Sequence, residues 1–341
     1  MNVQTAPEKL KPNDYASDQE VRWCPGCGDY AIVNAVKKAL ANMQADPKNT
    51  VFISGIGCAA RFPYYLATFG FHTIHGRAPA VATGVKLSNP DLDVWVIGGD
   101  GDMLSIGGNH TLHVLRRNID VQVLLFNNEI YGLTKGQYSP TSKVGTRSPS
   151  TPAGSVDAPI SACVYALGCN ARFVARSHDT NAKVLPGLLQ EAKEHKGASF
   201  VEILQNCIVY NDGVFSSFTD KANVADGQVT CEHGKPLLFG KESDKGIRLN
   251  PAKMELEVVT IGENGVAEED ILVHDETSRP LALMLAGMQP PNFPVAVGVI
   301  FRDPGLSFNE SVYDQINEIK DKTPAIPVNE LMHKGKTWTV V

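Results

Sequence analysis

The chain has 341 residues, 43% of them hydrophobic, enough to bury the core of one large domain or two small ones. Its formal net charge of −6 argues against nucleic acid as a partner, because neutralising phosphates needs a concentrated basic face. No run reads as a signal peptide or a membrane span, so a cytoplasmic protein with no membrane partner is expected.

The first twenty residues are polar and read either as an arm along a neighbouring subunit or as a disordered terminus. From Asp29 to Met43, Ile32, Val33, Val36 and Leu40 recur at helical spacing. Strand-like runs follow at 51–55, 94–97, 121–126, 172–175 and 200–204, with helical patterns between them at 111–117 and 181–195. This alternation predicts an α/β fold built on a doubly wound parallel sheet, whose ligands gather at the carboxyl ends of the strands. Beyond about Gly213 the pattern loosens, although 296–301 reads as a strand and 307–320 as a helix. The expected organisation is an arm over 1–20, a binding domain over 21–215, and a C-terminal extension over 216–341 that packs on that domain or on a partner.

The strand-like run ending in Ile97-Gly98-Gly99-Asp100-Gly101-Asp102 is followed, twenty-five residues on, by one ending in Asn127-Asn128-Glu129-Ile130-Tyr131-Gly132. The interval suits a loop, a crossover helix and a return strand, so Asp100 and Asn128 should emerge side by side. Glycines let the backbone approach a phosphate, while a carboxylate and an amide oxygen suit a hard divalent ion bridging a diphosphate. A lone Gly-Asp-Gly is usually a turn; the coupled pattern is what points to a Mg²⁺-diphosphate site.

Seven cysteines are present, among them the close pair Cys24-Pro25-Gly26-Cys27, Cys58 after Gly55-Ile56-Gly57, and Cys207 in Asn206-Cys207-Ile208-Val209-Tyr210-Asn211-Asp212. In an intracellular chain a Cys-x-x-Cys pair favours metal or redox chemistry over a structural disulfide. Thioredoxin-type exchange is disfavoured, since 9–22 are polar and irregular where that chemistry expects a strand. Zinc and an iron-sulfur cluster both remain open on spacing alone. Cys163 and Cys169 flank Val164-Tyr165-Ala166-Leu167 and read as core residues. Cys231 qualifies as a ligand only on composition. Lys37-Lys38 and Arg116-Arg117 read as solvated helix edges.

In one order, the chain carries Cys24-Pro25-Gly26-Cys27-Gly28, Gly55-Ile56-Gly57-Cys58, His75-Gly76-Arg77-Ala78, Gly99-Asp100-Gly101-Asp102 and Asn127 to Gln137. Together these motifs resemble the β subunit of 2-oxoacid:ferredoxin oxidoreductases, most closely the 2-oxoglutarate branch (2-oxoglutarate synthase), over roughly residues 15–215. The resemblance implies thiamine diphosphate (TPP), with Mg²⁺ held by Asp100, Asn128 and the carbonyl of Ile130. It implies one 4Fe-4S cluster on Cys24, Cys27, Cys58 and Cys207, the last resting on its sequence context rather than a tight spacing. TPP contacts are expected from Ile56, Gly57, Cys58, Ala59, His75, Gly99, Gly101, Asp102, Asn128, Gly132, Leu133 and Thr134. His75 is the expected catalytic residue, donating a hydrogen bond to a developing charge, and His72 has no assigned role.

The implied reaction is oxidative decarboxylation of 2-oxoglutarate with coenzyme A to succinyl-CoA and CO₂, reversible in principle, with electrons leaving through the cluster to ferredoxin. An α subunit is expected to supply the glutamate that activates the cofactor, giving an αβ unit paired into a heterotetramer. Arg61 and Lys135 would each meet one carboxylate of the substrate. Pyruvate or broad 2-oxoacid use is the alternative. A non-oxidative TPP decarboxylase or synthase would keep Asp100 and Asn128 but has no use for four thiolates. A zinc-stabilised binding subunit would use Cys24, Cys27 and Cys58 structurally.

Overall fold

The structure is a computed structural model that describes residues 9–340. Its main sheet contains β1 (Thr50–Ser54), β2 (Phe69–His72), β3 (Asp93–Gly99), β4 (Gln122–Asn127), β5 (Phe173–His178), β6 (Ser199–Leu204), β7 (Gln228–Cys231) and β8 (Val295–Arg302), in the order β2-β1-β3-β4-β6-β5-β8-β7. All neighbouring pairs are parallel except β8 with β5. The doubly wound α/β reading therefore describes the fold, with β8 and β7 at one edge running opposite to the other six strands.

Both faces of the sheet are covered, which is why β1, β4, β5 and β6 are buried at every position instead of alternating. On one face Trp95, Ile97, Leu124 and Phe126 pack with α1 (Asp29–Met43) and α5 (Leu185–Glu194). On the other, Val94, Val96, Val123 and Leu125 pack with α2 (Ala78–Ser88), α3 (Gly108–Arg116), α4 (Ala162–Gly168) and α6 (Arg279–Ala286). Helix α1 has the bounds its spacing predicts, and Ile32, Val36 and Leu40 are fully buried, each stabilising the fold by about 1.5–3 kcal/mol. Helix α5 begins later than the periodicity suggests, because Pro186 lies in its first turn, where a missing N–H costs nothing. Helix α7 (Phe308–Lys322) starts at Ser307, whose hydroxyl accepts from the Glu310 N–H while the Glu310 carboxylate accepts from the Ser307 N–H.

The two flanking segments are more integrated than the sequence suggested. Residues 1–8 of the N-terminal arm lie outside the described residues. Tyr15 is fully buried, and its hydroxyl donates to the carbonyls of Leu40 and Ala45, so this part of the arm is anchored to the chain's own α1. The segment from 216 onward does more than pack on the domain: it supplies β7 and β8 to the main sheet. It also forms a three-stranded antiparallel unit, Leu238–Phe239, Lys245–Asn250 and Glu255–Thr260. Among the described residues no helix is long and apolar enough to cross a membrane.

Candidate functional site

Four adjacent parallel strands, β1, β3, β4 and β6, run out at one edge of the sheet. Cys58 follows β1, Asp100 follows β3, Asn128 follows β4 and Cys207 follows β6. Parallel neighbours with a common polarity bring these four loops to one edge, as expected for ligand sites in such sheets.

A cleft of about 180 Å³ is lined by Ile56, Gly57, Cys58, Ala59, His75, Gly99, Asp100, Gly101, Asp102, Asn128, Ile130, Gly132, Leu133 and Thr134, together with Phe126 and Tyr131. Every residue expected at the Mg²⁺-diphosphate site thus borders one space. Burial pushes the Asp100 carboxyl above its ordinary range against hydrogen bonds from Ser139 and Thr141. Its Oδ2 accepts from the Thr141 hydroxyl at 2.6 Å. The Asn128 Oδ1 accepts from the Ile130 N–H at 3.2 Å, folding the chain so that both residues face the cleft. Gly101 must be glycine, because a Cβ there would lie 2.2 Å from the Tyr131 ring.

Asp102 ties three loops together. Its Oδ1 accepts from the N–H of Gly76 at 2.7 Å, from the N–H of Ile56 at 3.1 Å and from His75 Nδ1 at 2.6 Å. Burial raises the Asp102 carboxyl nonetheless. Because Asp102 accepts at Nδ1, Nε2 is the ring nitrogen His75 has left for the cleft, and it donates there only as imidazolium. His72 instead faces Tyr64, with Nδ1 3.1 Å from that hydroxyl.

Beside the cleft lies a second chamber of about 230 Å³, lined by Cys24, Cys27, Cys58 and Cys207. Trp23 also lines it: the indole Nε1 donates to the Cys58 carbonyl at 2.8 Å, and the ring packs edge-on against Tyr65. Gly132 leaves room between two of the thiols, since a Cβ there would stand 3.5 Å from Cys58 Sγ and 3.7 Å from Cys207 Sγ. Burial, then Asp29, Cys207 and Cys24, push the Cys58 thiol up to about 12, and burial and Asp29 raise Cys27 as well. These groups therefore stay protonated until a cation draws the protons off. Cys163, Cys169 and Cys231 lie in the hydrophobic core, as read for the first two; Cys231 sits on β7, away from the chamber.

Asp29 is fully buried with neither carboxylate oxygen hydrogen-bonded, and burial lifts its pKa to about 7. A carboxyl raised in the folded state favours folding below its unfolded value and loses that advantage as pH rises through 7. Asp29→Asn should therefore gain stability relative to the parent chain between about pH 4 and 7, by a few kcal/mol in total. Urea midpoints of both proteins across that range check the slope; parallel curves would contradict it.

A family profile described as "Thiamine pyrophosphate enzyme, C-terminal TPP binding domain" matches residues 55–203, the stretch that carries the cleft. The 2-oxoglutarate oxidoreductase subunit KorB of Mycobacterium tuberculosis is 46% identical over 343 residues, covering 99% of this chain and 91% of that protein. The chain belongs to the 2-oxoacid:ferredoxin oxidoreductase β subunits. Another relative, the 2-oxoacid:ferredoxin oxidoreductase 1 subunit beta of Aeropyrum pernix, is 46% identical over 190 residues, 56% of this chain and 60% of its own length. A solved 2-oxoglutarate:ferredoxin oxidoreductase from Magnetococcus marinus, with 2-oxoglutarate, coenzyme A and succinyl-CoA bound, aligns with a TM-score of 0.77 at 32% identity over 97% of both chains. As a β subunit of this family the chain is part of an oxidoreductase, and it carries the family's TPP-binding domain.

The β subunit's site contains residues that no motif announced. Thr141 bridges Asp100 and Asn127, reaching the Asn127 Oδ1 at 3.0 Å. Asn127 Nδ2 donates to Glu202 Oε1 at 2.8 Å, and Glu202 Oε2 accepts from Arg176 Nε at 2.7 Å. Burial drives the Glu202 carboxyl up, but Arg176 and then Asn127 outweigh it and hold it below its usual range. Gln205, directly after β6, touches both Asn128 and Cys27. Arg61 and Lys135 line the cysteine chamber, not the cleft; Arg61 also lines an open groove that shares Ile56, Gly57 and Leu133 with the cleft. A single charge inside an apolar strand, as in Phe200-Val201-Glu202-Ile203, was the one signal available for Glu202.

Proposed function

We propose that this chain is the β subunit of a 2-oxoglutarate:ferredoxin oxidoreductase, which with an α subunit converts 2-oxoglutarate and coenzyme A to succinyl-CoA and CO₂ and passes the electrons through one 4Fe-4S cluster to ferredoxin. The observation that carries this reading is the wall of Cys58, Asn128, Gly132 and Leu133 shared by the cysteine chamber and the diphosphate cleft. Electrons released in one space need cross only that wall to reach the other. The relatives named for 2-oxoglutarate, and the solved enzyme holding 2-oxoglutarate, coenzyme A and succinyl-CoA, support the substrate and its acyl acceptor.

The donor sets fit both inorganic groups. Asp100, Asn128 Oδ1 and the Ile130 carbonyl are hard oxygen donors beside a diphosphate-sized cleft, which suits Mg²⁺ and its preference for one or two carboxylates. A divalent ion there would offset the burial that now disfavours the Asp100 anion. Among the described residues, no three His, Cys, Asp or Glu side chains converge to hold a single ion. A lone Zn²⁺ needs its thiolates about 2.3 Å from one centre, so sulfurs spread around a chamber suit a polynuclear cluster better. When bound, TPP supplies the carbanion chemistry that releases CO₂ from a 2-oxoacid, and the cluster takes up electrons singly.

Around these groups the chain's own residues orient and hold. Asp102 fixes the His75 ring with Nε2 toward the cleft, where His75 is proposed to stabilise a developing charge. Arg61 lines the open groove that adjoins the cleft at Ile56, Gly57 and Leu133 and is proposed to hold one substrate carboxylate from there; Lys135, which lines the chamber beside the shared wall, is proposed to hold the other. The relatives named as β subunits support a partner chain, so an α subunit is proposed to complete the site, with the αβ unit paired into a cytoplasmic heterotetramer.

Coenzyme A-dependent reduction of a low-potential viologen by the anaerobically purified αβ complex tests the function. A strong preference for 2-oxoglutarate over pyruvate is expected; equal or greater pyruvate activity would overturn the substrate. Arg61→Ala should raise the KM for 2-oxoglutarate about tenfold, the cost of one charge-assisted hydrogen bond, and should affect 2-oxobutyrate much less. An equal effect on both substrates would remove Arg61 as a reader of the distal carboxylate.

A further inference from the structure

Gln205 is 1% exposed and stands between the diphosphate cleft and the cysteine chamber. Its Nε2 lies 2.5 Å from the backbone carbonyl of Asn206 and 3.3 Å from Cys27 Sγ, while its Oε1 lies 2.8 Å from Asn128 Nδ2. A backbone carbonyl can only accept, so the end of the Gln205 amide that faces Asn206 must be the NH₂. The remaining orientations follow by elimination. The second hydrogen of that NH₂ points to Cys27, and the Gln205 oxygen faces Asn128 and accepts from its NH₂. Asn128 is thereby left with its own Oδ1 toward the Ile130 N–H, on the cleft side. Turning either amide over would set two acceptors or two donors against each other in a buried site, at about 1–3 kcal/mol for each group left unpaired.

We infer that Gln205 is a positioning residue that links the two cofactor sites, holding the Asn128 amide with its oxygen toward the metal ion while donating a hydrogen bond to the Cys27 sulfur of the cluster. The inference rests on the proposed reading of Asn128 as a Mg²⁺ ligand and Cys27 as a cluster ligand. A hydrogen bond to a ligating sulfur favours the reduced, more negative cluster and so raises its potential. One planar amide therefore sets both the presentation of a metal ligand and the readiness of the electron acceptor. An apolar residue of similar size would fill the space but leave the Asn128 NH₂ without its partner and the Asn206 carbonyl with the Gly28 N–H alone.

Two variants separate the two ends of the amide. Gln205→Glu keeps an oxygen for Asn128 but offers no donor to Cys27. Its second oxygen also faces the Asn206 carbonyl, acceptor against acceptor, so the cluster should hold the electron at least about tenfold less well, a fall of at least about 59 mV for a one-electron couple, while the oxygen kept for Asn128 makes the loss of Mg²⁺-dependent TPP affinity smaller than in Gln205→Met. Gln205→Met removes both ends, so the potential should fall and TPP affinity should weaken about tenfold. The measurements are iron and sulfide content, the cluster midpoint from an electron paramagnetic resonance titration, and calorimetry with TPP and Mg²⁺, all on the αβ complex. Unchanged midpoints in variants that carry the parental iron content would overturn the role of Gln205. Absence of iron and sulfide from the parent complex would instead overturn the reading of the chamber on which that role rests.

Discussion

Asp100→Asn should weaken Mg²⁺-dependent binding of TPP by about 10²–10³-fold, the cost of about 3–5 kcal/mol for removing one partner of a buried charge interaction. The asparagine would occupy nearly the same volume and still accept from the Thr141 hydroxyl that now lies 2.6 Å from Asp100 Oδ2. It would lack the charge that a divalent ion requires. The sign reverses in the absence of ligands. Burial already disfavours the ionised Asp100, so removing that charge should leave the thermal midpoint of the cofactor-free chain unchanged or raise it. The expected result is thus a chain that melts no earlier than its parent alone and loses the stabilisation that TPP with Mg²⁺ confers on the parent. Thermal melts with and without the pair, together with calorimetry, read both halves. Near-parental affinity would remove Asp100 from the metal site, whereas a large drop in the ligand-free midpoint would make it a structural residue.

What was legible in the sequence was whatever depends on local pattern. The runs in β3 and β4 stand out because parallel strands covered on both faces need apolar residues at successive positions, and each run stops at the glycine or asparagine where the chain must turn toward the ligand edge. Helix α1 was legible to the residue because Ile32, Val33, Val36 and Leu40 recur along its buried face. Strand β2 was not, since Phe69 and Phe71 are exposed on an edge strand and give no burial signal. Nor was the antiparallel placement of β8 beside β5, whose pairing of Gly298 with Arg176 depends on a register that no local pattern encodes. The supporting network failed for the same reason. Arg176 and Glu202 are cross-strand neighbours only once β5 and β6 lie side by side, and Gln205 has meaning only once Asn128 and Cys27 have been brought to either side of it. Arg61 was placed near Cys58 by sequence proximity, which could not distinguish the cleft from the chamber next to it.

Cys207→Ser should abolish assembly of the iron-sulfur cluster and lower viologen reduction by at least about 100-fold, while Cys163→Ser leaves iron content unchanged. Cys207 was the ligand supported by context alone, and geometry now supplies an independent reason: its sulfur and that of Cys58 both flank the space that Gly132 keeps free. The protonation states strengthen the argument. Cys58 is pushed up to about 12 by burial and then by Asp29, Cys207 and Cys24, against Arg61, so neighbouring thiolates would repel one another strongly unless iron were bound among them. Removing one ligand leaves three such groups and an incomplete coordination shell. Serine is close in size to cysteine, and Cys207 lines the chamber, so the fold should survive and the loss should appear in iron, sulfide and visible absorbance, not in thermal stability. Cys163 differs in kind: it is fully buried, its Sγ donates to the Glu202 carboxylate at 3.2 Å, and a serine hydroxyl can make the same bond. Full iron in Cys207→Ser would leave Cys24, Cys27 and Cys58 as a three-cysteine site, because Cys163, Cys169 and Cys231 are held in the core and cannot take its place without unfolding the sheet.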